Sequence, residues 1–275
     1  MPLTPPNALD ILAFHREAGV DTALEEAPVN RFAESAAKSE EPARPSGREA
    51  AAQDRVSSFV PAREAAQKSF AAPVAPDEAI MAARAAAKSA KTLDELRETL
   101  SRFEGCALKN TAKNLVFADG NPAARVMFVG EAPGADEDRE GLPFVGRSGK
   151  LLDRMMAAIG LDRTSAYIAN IVPWRPPGNR TPTPQESAIC LPFIRRQIEL
   201  ANPDFLVCLG KPSMQTLLEI NDGIKTARGR WHDYDTGSRV IKAMATFHPA
   251  YLLRTPAEKK FAWRDMLTLK KALNG

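Results

Sequence analysis

From residue 125 onward, short runs of apolar residues alternate with longer stretches in which apolar positions recur every three or four residues. The runs at 125–130, 166–171, 205–209 and 240–247 are continuous rather than alternating. Such runs read as strands buried on both faces, the mark of a parallel sheet. Between them, 148–159 places Leu151, Leu152, Met155 and Met156 at helical spacing. Further helices are predicted from Pro184 onward, over 211–220 and over 257–273. Two helices lead in: an Ala-rich one over 77–90, and one over 92–103 that Thr92 and Glu95 open as a capping box. Strands alternating with helices of this length predict an α/β protein. The expected architecture is a three-layer α/β/α sandwich around a central, mainly parallel four-stranded sheet. No internal repeat interrupts the pattern.

Loops that follow parallel strands emerge together at the carboxyl edge of the sheet, where open α/β folds bind ligands. The loops after the first, second and fourth predicted strands carry 131–144, 170–180 and His248-Pro249-Ala250-Tyr251. The first is the most informative. An apolar run ending at Val129 breaks into Gly130-Glu131-Ala132-Pro133-Gly134, followed at once by Asp136, Glu137, Asp138 and Glu140. Gly130 and Gly134 let backbone approach a ligand closely, and Pro133 stiffens the turn. Carboxylates this close repel one another, so the cluster costs stability unless each has a partner or a task.

Other residues at that edge have matching chemistry. Phe144 offers a flat platform, worth roughly 1–3 kcal/mol to a stacked base. Asn170 ends an apolar strand with an acceptor and donors side by side, which suits the edge of a pyrimidine. His248, held by Pro249, can donate to charge developing on a leaving group. Tyr251, Leu252 and Leu253 form an apolar step ending in Arg254. That step either wedges into a base stack or begins a helix and packs inward. Arg175, Arg180, Arg228, Arg230, Arg254, Lys259 and Lys260 suit phosphate contact.

Composition alters the picture mainly at the N-terminal end. The chain has 275 residues, and net charge is −3 over residues 1–90 and +6 over 91–275. The tract 25–76 is rich in Ala, Pro, Glu, Lys and Ser with few large apolar residues, too little to offset the entropy of ordering. Residues 1–90 therefore read as a largely disordered extension, and 91–275 as the folded domain. Leu9, Ile11, Leu12 and Phe14 suit a short amphipathic helix near 7–18, either a docking peptide for an unidentified protein partner or a transient helix. No apolar run approaches the ~20 residues that span a bilayer, and no secretory signal is evident. Three cysteines, Cys106, Cys190 and Cys208, argue against a disulfide framework and for a reducing, cytoplasmic setting.

Taken together, Gly130-Glu131-Ala132-Pro133-Gly134 with Glu137-Asp138, Gly-Leu-Pro-Phe-Val-Gly at 141–146, Asn170, Trp174-Arg175-Pro176-Pro177-Gly178-Asn179-Arg180 and His248-Pro249-Ala250-Tyr251 resemble the motif set of family 4 uracil-DNA glycosylases. The resemblance runs from about Cys106 to Leu273, in order and spacing, and leaves 1–90 outside. It implies the uracil-glycosylase fold and removal of uracil from single- and double-stranded DNA, the first step of base-excision repair, by a monomer needing no divalent metal. It further implies that Phe144 stacks on an everted uracil while Asn170 accepts from N3–H. Ala132 and Gly134 would line the uracil pocket. His248 and the amides of the 130–134 turn would stabilise the uracil anion at O2. Glu131, Glu137 and Asp138 would stabilise the cationic sugar or orient water, with Glu137 the leading candidate for general base. Other branches of the superfamily carry an Asp where this chain has Ala132. Arg175, Arg180, Tyr251, Leu252 and Arg254 would contact DNA.

A non-catalytic or trapping protein of the same fold, holding uracil or single-stranded DNA, is the alternative. Relatives that trap the sugar through a histidine carry an inserted basic loop, which this chain lacks before His248. A generic nucleotide-binding α/β protein would need a glycine-rich phosphate loop, and none is present.

The resemblance also implies a 4Fe–4S cluster held by four cysteines. Cys190 and Cys208, with 17 residues between them, match the later pair, and Cys106 matches the second cysteine of the opening pair. Phe103 stands where the first would be, and phenylalanine cannot ligate iron. Three outcomes remain open: a cluster with a different fourth ligand, a three-iron or labile species, or an apolar site in which the thiols act as small hydrophobes.

Overall fold

The computed structural model describes residues 76–275. The 7–18 helix and nearly all of the 25–76 tract lie outside the described residues. In chain order the elements are α1 (Pro76–Ser89), α2 (Leu93–Arg102), β1 (Asp119–Gly120), β2 (Val126–Gly130), α3 (Ala135–Glu140), α4 (Arg147–Ala157), β3 (Tyr167–Asn170), α5 (Pro184–Ala201), β4 (Phe205–Leu209), α6 (Lys211–Leu218), α7 (Ile224–Ala227), β5 (Trp231–Asp235), β6 (Val240–Thr246), α8 (Pro249–Arg254) and α9 (Lys259–Asn274).

The sheet has the order β1-β3-β2-β4-β6-β5. Its four central strands, β3, β2, β4 and β6, are parallel and coincide with the four apolar runs of the sequence. Two antiparallel edge strands enlarge it to six. β1 is only two residues long, too short for any periodicity. β5 reads Trp-His-Asp-Tyr-Asp and hides from a search for apolar runs because its edge position lets Asp233 and Asp235 face solvent. Charged residues on an edge strand also deter pairing with another chain.

Period-two alternation divides the strands between two cores. Met127, Val129, Leu206, Cys208, Ala243 and Ala245 face one layer, which includes residues of α1, α2 and α5. Val126, Phe128, Ile168, Val207, Leu209 and Met244 face the other, built on Leu152 and Met156 of α4 and Met266 and Leu269 of α9. Both faces of the sheet are covered, which gives the three expected layers.

The body begins earlier than the boundary drawn at residue 90. In α1, Ala79, Ala83 and Ala87 recur every four residues and are buried in the first core, where the helix packs against α5. Small side chains let the two helices approach closely. Arg196 of α5 then donates twice to the Ala90 carbonyl, at 2.7 and 3.0 Å, closing the C-terminal end of α1. The Ala-rich helix expected over 77–90 therefore belongs to the folded body rather than to the extension.

Among the described residues, no helix is long and apolar enough to cross a membrane.

Candidate active site

In the parallel part of the sheet, the chain leaves β2 for β3 on one side and leaves β4 towards β6 on the other, so a crevice opens beyond the carboxyl ends of these adjacent strands. A cleft of about 200 Å³ occupies that crevice; for scale, an apolar cavity of roughly 150 Å³ accepts benzene. The loop after β2 contributes Glu131, Ala132, Pro133, Gly134, Glu137 and Phe144, the end of β3 contributes Asn170, and the segment after β6 contributes His248 and Ala250. Pro176, Asn179, Arg180, Thr181 and Pro182 close one side, and Ser148 of α4 completes the wall. The three predicted loops therefore do meet.

Two glycines make room. A side chain on Gly130 would run into the Asn170 amide and the Phe144 ring, so glycine lets both reach the end of β2. Gly210, at φ +94°, follows β4 and leaves space that His248 fills. Phe144 itself has φ +56°, a left-handed conformation uncommon for a bulky residue and characteristic of functional sites. Its ring lies 5.5 Å from the His248 ring, tilted by 32°.

Three polar groups in the cleft keep bonding capacity. Asn170 is buried, and its Oδ1 has no hydrogen-bond partner among the described residues. A buried amide oxygen without a partner is costly in a folded protein and asks for a ligand. His248 caps α8: its Nδ1 accepts from the Ala250 amide at 3.1 Å. Burial, helped by the nearby Arg254 charge, lowers its pKa to about 4. The ring is therefore neutral near pH 7, with its proton on Nε2, a donor. Glu131 lines the cleft as a carboxylate whose pKa burial raises. Its side chain accepts no hydrogen bond among the described residues, while its backbone carbonyl accepts from Val172 at 3.0 Å and so ties the turn to the end of β3.

The neighbouring acids are used differently. Glu137 accepts from the Gly134 amide at 3.0 Å through one oxygen, and from the Val145 and Gly146 amides at 3.1 and 3.0 Å through the other. It staples the two halves of the loop together. Asp138 is buried outside the cleft and accepts from the Lys113 and Asn114 amides at 2.8 and 3.2 Å. Backbone N–H groups thus hold both carboxylates in place, Glu137 in the wall of the cleft and Asp138 outside it, which sequence proximity alone does not reveal.

The expected DNA-contacting residues also separate. Leu252 is fully buried with Phe247 and Ala262, so it does not form a wedge; α8 turns it inward. Leu253, its neighbour, is the exposed one. Tyr251 packs on Phe247 at 5.2 Å. Arg180 forms a bidentate pair with Glu186, at 2.7 and 2.8 Å, and that same Glu186 completes the capping box of α5 with Thr183. Arg175 holds Asn179 at 2.6 Å, curling 175–180 over the cleft. Arg254 is exposed beside the site.

The cysteine region behaves as packing. The Sγ atoms of Cys106 and Cys190 lie 3.9 Å apart. Cys208 sits in mid-strand in β4, fully buried, and burial pushes its thiol far above the usual range. The Phe103 ring folds over Gly105 and packs edge-on against Phe193 at 5.0 Å. Among the described residues no three Cys, His, Asp or Glu side chains gather to hold a metal. These residues do not fit a four-cysteine cluster: a phenylalanine fixed in an aromatic pair stands where one ligand is expected, and the three thiols do not gather into a metal-holding group.

Residues 117–267 match the model of the uracil DNA glycosylase superfamily. The chain is 43% identical over 168 residues to a type-4 uracil-DNA glycosylase of Thermotoga maritima, covering 59% of this chain and 86% of the relative. It is 39% identical over 170 residues to the enzyme of that name from Archaeoglobus fulgidus, covering 60% and 85%. Against the one from Saccharolobus solfataricus it is 38% identical over 187 residues, covering 66% and 87%.

Proposed function

The chain belongs to the uracil DNA glycosylase superfamily, and from that premise we propose that it is a DNA-repair hydrolase that swings uracil out of DNA and cleaves its N-glycosidic bond. The observation that carries this reading is the unpartnered Oδ1 of Asn170, buried beside the Phe144 ring in a cleft sized for one heterocycle. Uracil presents an N3–H donor to such an acceptor, whereas cytosine has a bare nitrogen at that position. A site built around a hydrogen bond rejects an analogue that cannot form it, because its own buried group is then left unpaired.

With the base flipped into the cleft, Phe144 stacks on the ring and Asn170 holds its edge. As the bond between C1′ and N1 breaks, its electron pair passes to uracil and negative charge gathers on O2. The neutral His248 donates from Nε2 to that oxygen, and the amides of the 130–134 turn assist. The sugar becomes cationic, and the Glu131 carboxylate is the acid free to face it. Water attacks C1′ and gives its proton to Glu131, leaving an abasic site and the uracil anion, which is released as uracil once it takes up a proton from solvent while Glu131 gives its own back. The committed Nδ1 and the proton on Nε2 make His248 a poor nucleophile, which favours hydrolysis over covalent trapping. Arg175 and Arg254 at the rim suit backbone phosphates of either single or double strands, as would be met in the cytoplasm.

The reading is tested with oligonucleotides bearing one deoxyuridine, in chelator, followed by alkaline cleavage and electrophoresis. The expected result is cleavage at uracil in both single and double strands and none at cytosine. An intact uracil strand at enzyme excess would overturn it. Asn170→Asp is expected to lose uracil release or shift it towards cytosine.

A further inference from the structure

We infer that Arg163, outside the cleft and in no recognised motif, is the positioning residue that sets the Phe144 ring at stacking height. The inference rests on the glycosylase reading. Arg163 lies in the loop between α4 and β3, and its guanidinium reaches beneath 143–144 from behind. It donates to the Pro143 carbonyl at 3.1 Å and also to the Phe144 carbonyl. Its remaining N–H groups are gripped by Asp153 of α4, at 2.9 Å, and Asp119 of β1. One planar fork thus ties an edge strand and a helix to the two residues that carry the ring.

The need for such a brace is visible in the backbone. Phe144 is held in a left-handed conformation, which is strained for a bulky residue and persists only where the surroundings enforce it. Gly149 presses against the Phe144 carbonyl so closely that a side chain there would collide with it. The carbonyl is therefore clamped between a glycine and a guanidinium. On the β1 side, Gly120 at φ +94° lies against the Arg163 carbonyl, where a side chain would collide. Lysine, a point charge without the fork, cannot serve four acceptors in this geometry.

The test compares wild type, Arg163→Ala and Arg163→Lys in three measurements: single-turnover uracil release, inhibition by free uracil, and affinity for DNA already carrying an abasic site. Misplacing a contact by about 1 Å can cost ~100-fold in rate. Both variants are expected to release uracil at least ~10-fold more slowly and to bind free uracil ~10-fold more weakly, with abasic-site affinity held within ~2-fold. Lysine is not expected to rescue. Unchanged uracil inhibition, or an equal fall in uracil and abasic-site affinity, would overturn the inference. Should both variants fail to fold, Asp153→Asn decides: ~3-fold weaker uracil inhibition is expected from a loosened fork, and none would overturn it. A wild type that releases no uracil defeats the glycosylase reading instead.

Discussion

The cleft at the carboxyl edge and the cysteine-bearing flank both contain the residue types that chemistry prefers, yet they treat them in opposite ways. In the cleft, Asn170 Oδ1, the donor on His248 and the Glu131 carboxylate are left open towards the same space. On the flank, Cys106 and Cys190 touch one another, Cys208 is sealed in the sheet, and Phe103 fills its corner against Phe193. Reactive side chains become a site only where the fold leaves their bonding capacity unspent. Where packing spends it, the same side chains are core.

The largest effect that could break this contrast is at Asn170. Asn170→Asp is expected to slow uracil release by about 100- to 1000-fold, the cost of losing one preorganised contact, with a thermal midpoint near that of wild type. His248→Ala is expected next, at roughly 100-fold in turnover with DNA affinity unchanged; a fall confined to affinity would make His248 a DNA anchor.

Acid pH probes the cleft in a second way. The folded-state pKa of His248 is depressed to about 4, so the unfolded chain takes up its proton first as pH falls below about 6.5. The stability that neutral His248 contributes is therefore present above pH 6.5 and is lost progressively towards pH 4. The raised pKa of Glu131 places the acid limb of kcat/KM above the usual carboxylate range. Glu131→Gln should lower the plateau and remove that limb, measured by uracil release from pH 4 to 8.

The flank should respond in stability alone. Phe103→Ala is expected to cost about 2 kcal/mol, less than for a fully buried ring because Phe103 is half-buried, read by urea unfolding, while uracil release per folded molecule stays level. Smaller still, Cys190→Ser should leave the absorbance near 400 nm unchanged, because that region is expected to be featureless in wild type and free of stoichiometric iron on analysis. A 400 nm band that Cys190→Ser abolishes would reverse the reading of the flank.

Sequence reasoning reached the parallel strands and the three converging loops because continuous apolar runs and glycine-proline punctuation are local signals. It did not reach what depends on partners distant in sequence. Glu137 and Asp138 look as available as Glu131 until the amides of 113–114 and 145–146 are brought to them. Leu252 and Leu253 are indistinguishable until the phase of α8 turns one inward. Arg163 carries no motif, since its four acceptors come from three separate segments. The helix α1 is legible in the sequence but its burial is not, because that depends on the small-residue face it turns to α5.

The most direct test of the account is a crystal structure with free uracil bound. The ring is expected to stack on Phe144, with N3–H on Asn170 Oδ1 and O2 facing His248 Nε2. Uracil seated elsewhere, or in the cleft with its N3 edge turned away from Asn170, would contradict it.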